Sequence, residues 1–429
     1  MINTPGIFQE ISLMARPELE GEWIQGWPDR ARARLMPSKD AEGRTIYART
    51  PLTQLEGLIT PTDAFYIVSQ LNMCDPIHPD DYFFCVKGLV DRPMQLTLEA
   101  LQRMPSRTVR TVMECAGDDG EFFHWQKRGG AKPSRLKRQN EQGGWNQMGT
   151  TDGERPRIED VLDAVPTTCL VSGGEWTGVP LALLLETVGV KSNVESVHVV
   201  GYDQGRPDPT PQYAATGRTD IDVVDPGVIN YDKALPLAKA MHPDTLLAWA
   251  HNGEYLQHVH GAPLRLVVPG WSGNWSVKWI KDIELLDHTP ACYYQTHYFV
   301  FGESPESPNK TPCMELGCKS IILSPIDEDS PLERGEHLVK GLAWSGMGAV
   351  KRVEVSVDHG ATWQPAHLDD HNDRWLWRRW SFVWQVDKPG AYSLMARATD
   401  EADRVQPQTP WNFQTKHFDG IVPTDVEVR

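Results

Sequence analysis

The sequence predicts an α+β fold in two parts. A mixed α/β domain occupies residues 51–305, preceded by an extension over residues 1–50, and an immunoglobulin-like β-sandwich follows over residues 320–429. Three observations predict this. A chain of 429 residues exceeds what one hydrophobic core holds and divides into two or three domains. Its 35 glycines, 33 prolines and 16 tryptophans favour strands joined by many turns and long loops. From about residue 320, short alternating strands recur at regular spacing between turn residues, the pattern of a sandwich.

The elements follow in chain order. Trp23 and Trp27 are expected to anchor the charged N-terminal extension on the body. Asp80 to Pro93 reads as a strand and a turn. Leu96 to Met104 reads as a short amphipathic helix, with Thr97 as its N-cap and Pro105 as its stop. Arg107 to Cys115 is a β-branched, apolar strand that breaks at once into Gly117, Asp118, Asp119 and Gly120, so Cys115 sits on a sharp turn at the strand's end. Residues 122–157 form a long loop carrying Lys127, Arg128, Lys132, Arg135, Lys137 and Arg138, either a solvated excursion or a lid beside Cys115. Leu181–Val188 has helical spacing, and Val197–Asp203 is a strand. The sandwich strands are expected at Glu336–Leu342, Val350–Asp358, Trp375–Trp384 and Tyr392–Asp400.

Composition narrows the function. Hydrophobic and charged fractions of 40% and 23% are those of a soluble globular protein. A net charge of -16 argues against nucleic acid or anionic membrane as the main partner. No apolar run approaches the roughly 20 residues that span a bilayer. The first ten residues lack the charged and apolar regions of a secretory signal, so the expectation is a cytoplasmic chain as written, or a periplasmic one if a leader has been removed. The seven cysteines include no Cys-x-x-Cys and no haem-attachment motif; Cys313 and Cys318 are spaced equally well for a local disulfide or for two thiols. Taken alone, Cys115 reads as a small buried hydrophobe.

Collinear motifs change that reading. Glu114-Cys115-Ala116-Gly117, the run from Glu175 to Leu181, Leu235 to Met241, Asn252 to Leu256 and His260 to Arg265 resemble segments of the sulfite oxidase family of molybdenum enzymes. So do Val267–Gly270, Ser276–Trp279, Ala343–Gly346, the run from Val353 to Trp363 and Val405–Pro407. The matches cover roughly residues 50–415 in the family's order. The resemblance implies a molybdenum-molybdopterin cofactor and a two-electron oxo transfer on a sulfur oxyanion. Cys115 falls at the metal-ligand position, where a soft thiolate suits molybdenum. His260, Arg265, Ser276, Val277 and Lys278 fall at cofactor-binding positions, and Asp203 at the carboxylate that binds the pterin. Tyr298 falls near the family's active-site tyrosine, one residue short in spacing, with Tyr293 and Tyr294 as rivals. The resemblance also implies a homodimer built on the second domain, for which Trp375, Trp377, Trp380 and Trp384 supply either an apolar face or sandwich core. With no haem motif, electrons pass to an external acceptor, for which a cytochrome is the candidate.

The chain departs from the family where substrate is held. Ser69 and Gln414 replace arginines, Leu71 replaces a histidine, and Asp118-Asp119-Gly120 stands where the family often has Asn-Arg-Arg. Each lost guanidinium removes a charge-assisted hydrogen bond worth about 1.5–3 kcal/mol. The basic loop from Lys127 to Arg138 is the candidate for compensation, with Lys416 another. Three further readings stay open: a family member whose substrate is not sulfite, a scaffold subunit that keeps the fold without the chemistry, and a cysteine hydrolase with His124 as its base.

Overall fold

The computed structural model describes residues 38–39, 45–120, 122, 125–126, 132, 168–207, 225–302, 310–326, 331–412 and 416–429. Trp23, Trp27, Gln414 and all of the basic loop's cations except Lys132 lie outside these. Lys132 itself donates to the Asp425 carboxylate, 2.5 Å away, and to the Pro423 carbonyl.

Two five-stranded sheets dominate the first part. One runs in the order Ile229–Pro236, Ser196–Gly205, Ile280–Leu286, Phe83–Gly88, Met94–Thr97, antiparallel throughout except where Ile280–Leu286 meets Phe83–Gly88 in parallel. The other runs Glu254–Tyr255, Leu246–His251, Val171–Pro180, Arg107–Glu114, and Arg265–Val267 also pairs with Leu246–His251. Between and around them Val179, Leu181, Leu184, Val197, Val199, Leu266, Ile280 and Ile283 are sealed from water. Leu181–Val188 forms the expected helix and buries Leu181, Leu184, Leu185 and Val188 on one stripe. The shorter helix spans Leu98–Gln102, and the Thr97 side chain accepts from the Ala100 amide at 3.2 Å, as its capping position requires.

Two four-stranded sheets make the second part: Lys319–Ser324, Gly335–Trp344, Arg378–Val386 and His367–Leu368 in one, Gln364–Pro365, Val350–Ser356, Gly390–Asp400 and Thr424–Val428 in the other. Val339, Val353, Leu394 and Ala398 face each other across their core. The third expected strand starts later than the sequence pattern has it. Trp375 instead leaves the sandwich: its carbonyl accepts from the Val112 amide at 2.8 Å, and its indole donates to Asp244. All four tryptophans are buried, so they fill core and seam and offer no apolar face to a second copy.

The seam between the parts is itself apolar. Val112, Cys169 and Val171 from the first pack on Leu316, Ile321, Trp344, Leu376 and Trp377 from the second. Each Leu or Val fully buried there contributes roughly 1.5–3 kcal/mol. The strand Arg107–Glu114 therefore has one face on this seam, and its end is positioned by both parts.

Candidate active site

Chain reversal after Glu114 produces the site. The Cys115 amide donates to the Leu170 carbonyl at 2.9 Å, and the Cys115 carbonyl accepts from the Asp118 amide at 2.9 Å, closing the turn. The sulfur is left on the wall of an open cleft. Burial pushes its thiol up to about 11, with Asp118 adding to the rise and the Lys416 and Arg49 cations opposing it. Without a metal, Cys115 is a neutral thiol.

Asp203, His260, Arg265, Ser276 and Lys278, from four separate segments, line the same cleft as Cys115. Gly261 lets two of them approach. Its φ is +107°, and a Cβ there would sit 3.0 Å from the Cβ atoms of both Arg265 and Lys278. Arg265 is buried; it donates to the carbonyls of His260 at 2.8 Å and Ser276 at 3.2 Å, and its guanidinium lies 4.7 Å from the Trp176 ring. Lys278 donates to Ser69 Oγ at 2.7 Å and to the Val259 carbonyl at 3.1 Å. Neither cation has an ion pair among the described residues, and burial lowers both, Arg265 to about 10. Burial and these two cations hold His260 down at about 3, a neutral imidazole with Nε2 3.3 Å from the Thr62 carbonyl. Asp203 Oδ1 is buried without a partner, as are both amide atoms of Asn274 on the same wall.

Two expected residues lie elsewhere. The Val277 side chain is fully buried in the core, and its carbonyl accepts from the Leu266 amide at 2.8 Å. Tyr298 closes the helical turn Tyr294–Tyr298 and packs on Tyr294 and Phe299, so Phe299 rather than Tyr298 reaches the cleft. Its rival Tyr293 is also buried in the core, and Tyr294 sends its hydroxyl to the Gln70 carbonyl. The phenols on the wall belong to Tyr66 and Tyr231, which sequence reasoning missed. Burial and the neighbouring Cys115 raise Tyr66 well above the usual phenol range, so it stays protonated. The signal for Tyr66 was its place in the Phe65–Leu71 loop, beside the Ser69 substitution.

The acidic pair after the cysteine points away from the cleft. Lys319, only 2% exposed, holds Glu114 Oε1 at 2.7 Å, Asp119 Oδ2 at 3.0 Å and Asp118 Oδ2 at 3.3 Å. The Trp344 indole donates to Glu114 Oε2 at 2.7 Å, and Asp118 Oδ1 accepts from the Leu170 amide at 2.7 Å. Through Lys319, the carboxylates of Glu114, Asp118 and Asp119 thus bind the second part to the cysteine turn. From the C-terminal segment, the His417 amide donates to the Ala116 carbonyl at 2.8 Å, and Lys416 Nζ lies 5.6 Å from the ring of cleft-lining Phe299.

The donor set fits molybdopterin. Buried cations that make no close ion pair among the described residues suit a phosphate. An unpartnered Asp203 oxygen suits an amino group, and a thiol at the far wall suits a soft metal.

Comparison with known proteins agrees. Residues 72–294 match the oxidoreductase molybdopterin binding domain, and residues 310–417 the Mo-co oxidoreductase dimerisation domain. The mitochondrial sulfite oxidase of Rattus norvegicus is 28% identical over 380 residues, covering 84% of this chain and 60% of the relative, so the chain spans about 60% of that protein's length. An NADH nitrate reductase of Ulva prolifera is also 28% identical, over 82% of this chain and 38% of its own. The crystal structure of the sulfane dehydrogenase SoxCD from Paracoccus pantotrophus superposes with a TM-score of 0.71 at 25% identity, covering 97% of both chains.

Proposed function

The chain belongs to the sulfite oxidase family of molybdopterin enzymes, and we propose that it oxidises a small sulfur oxyanion and passes the electrons to a separate acceptor. The observation that carries this reading is the convergence of Cys115, Asp203, His260, Arg265 and Lys278 on one cleft. Arg265, Lys278 and the neutral His260 would hold the cofactor's phosphate end, Asp203 its pterin, and Cys115 its metal. Once bound, the molybdenum-molybdopterin group supplies two-electron oxo transfer. The protein's part is to exclude water, orient the group and supply a proton donor, for which Tyr66 is placed beside Cys115.

An anionic substrate needs cations at the cysteine, and the family's arginines are missing. Arg49 and Lys416, both buried, lower the Cys115 thiol from outside the two main sheets and supply that charge. The division at residues 51–305 and 320–429, dimerisation through the second part, and a cytochrome as acceptor belong to this same reading; SoxCD and the matched dimerisation domain support it.

The relatives include a nitrate reductase, so the substrate is tested with a panel. Sulfite, thiosulfate and organic sulfoxides are offered with a one-electron dye, and nitrate with a reduced viologen. Turnover of a sulfur oxyanion above the rest upholds the proposal. Turnover confined to nitrate overturns the substrate, and molybdenum absent from the purified chain makes it a scaffold.

A further inference from the structure

Behind the cleft wall, on the other face of the first sheet, lies a second constellation. Strands Ser196–Gly205 and Ile229–Pro236 pair with Val200 opposite Asp232 and His198 opposite Ala234, which makes His198 and Asp232 diagonal neighbours on one face. His198 Nε2 lies 2.9 Å from Asp232 Oδ2. Cys292, just before the Tyr294–Tyr298 turn, covers this pair. The imidazole nitrogen, the sulfur and the carboxylate oxygen all lie within 4.8 Å of one another. Tetrahedral zinc, with Zn–N of about 2.0–2.1 Å and Zn–S of about 2.3 Å, places its donors roughly 3.3–3.8 Å apart, within reach of small side-chain rotations. Glu284 stands directly opposite His198 on the next strand, on the same face.

We propose that His198, Asp232 and Cys292 form a structural site for a thiophilic divalent cation such as zinc, separate from the cofactor cleft. The donors suit that class: one imidazole, one carboxylate and one thiol, with the thiol losing its proton to solvent as the metal binds. Lys233, the nearest cation along the strand, does not compete. It lies on the opposite face, with its amine donating to the Tyr294 carbonyl at 2.8 Å, and burial lowers it to about 7. The ion fastens the Cys292 segment to the sheet. That segment leads through the Tyr294–Tyr298 turn to Phe299 on the cleft wall, so the site braces the wall from behind.

The test uses molybdenum-loaded protein stripped of other metals with a chelator, with cobalt(II) as the probe and zinc as its competitor. The expected result is one equivalent of cobalt with a thiolate-to-metal charge-transfer band, displaced by zinc. The band is absent in Cys292→Ser, and affinity falls by more than about 10-fold in His198→Gln, a loss that even an outer-shell partner carries. His198→Gln keeps the test open if Cys292→Ser does not fold. Zinc, but not magnesium, raises the thermal midpoint. The proposal is overturned if no thiolate band appears, if the band survives in Cys292→Ser, or if His198→Gln binds cobalt as tightly as the parent.

Discussion

Replacing Lys319 with methionine isolates the device that holds the cysteine turn. The substitution keeps the aliphatic stem and deletes one ammonium that serves three buried carboxylates at 2.7, 3.0 and 3.3 Å. Removing one partner of a buried ion pair costs about 3–5 kcal/mol, because the opposite charge stays buried and uncompensated. The loss here belongs at the upper end, since two of the three carboxylates flank each other in sequence and cannot both turn to water. The pH dependence has a definite sign. Burial already holds Glu114 raised, to about 7, against the lysine's pull. A carboxyl raised in the folded state contributes stability that is complete below its unfolded value and lost as pH rises through the folded one. Without Lys319 that rise is larger and extends to Asp118 and Asp119. Lys319→Met therefore recovers stability as pH falls from 8 toward 5, and its deficit is greatest at the alkaline end. Denaturant midpoints for the parent and the variant at several pH values measure this. A deficit below about 1 kcal/mol, or one flat across that range, would refute the reasoning, since exposed pairs give no more than that.

Four other outcomes follow from the same geometry. Lys416→Gln raises KM for the oxyanion by about 10-fold or more with a smaller change in kcat, as loss of a charge-assisted hydrogen bond requires; steady-state kinetics check it. Arg265→Met lowers molybdenum per chain, read by elemental analysis, because the guanidinium that bridges two carbonyls and would hold the cofactor's phosphate is gone. Gly261→Ala costs about 1–2 kcal/mol from its left-handed backbone alone and reduces cofactor content as Arg265 and Lys278 are pushed apart. Thr97→Ala removes a helix cap far from the cleft and costs about 0.5–2 kcal/mol in midpoint stability, with turnover unchanged.

Local periodicity made much of this legible. The Thr97 cap, the apolar stripe of Leu181–Val188 and the alternation of the late strands are written in neighbouring residues, and the structure has each of them. The turn at Cys115 was legible because a β-branched run stops abruptly there, while its place as a metal ligand came from the collinear motifs. What the sequence hid depends on partners far away in the chain. Asp118 and Asp119 look like replaced substrate residues until Lys319, some 200 residues later, is seen to hold them. Trp375 belongs by pattern to a sandwich strand, yet its carbonyl is drawn to the edge of Arg107–Glu114. Tyr298 has the right residue type near the right place, but the turn that carries it presents Phe299 instead. Cys313 and Cys318 remain thiols, as do the other cysteines. No helix among the described residues is long and apolar enough to cross a membrane.

The proposed bond from Cys115 to the metal decides the whole account, and X-ray absorption at the molybdenum edge tests it directly. Parent protein and Cys115→Ser, each loaded with cofactor, are compared for the sulfur neighbours of molybdenum. The account predicts one fewer sulfur in the variant, together with lost turnover. An unchanged sulfur count would contradict it.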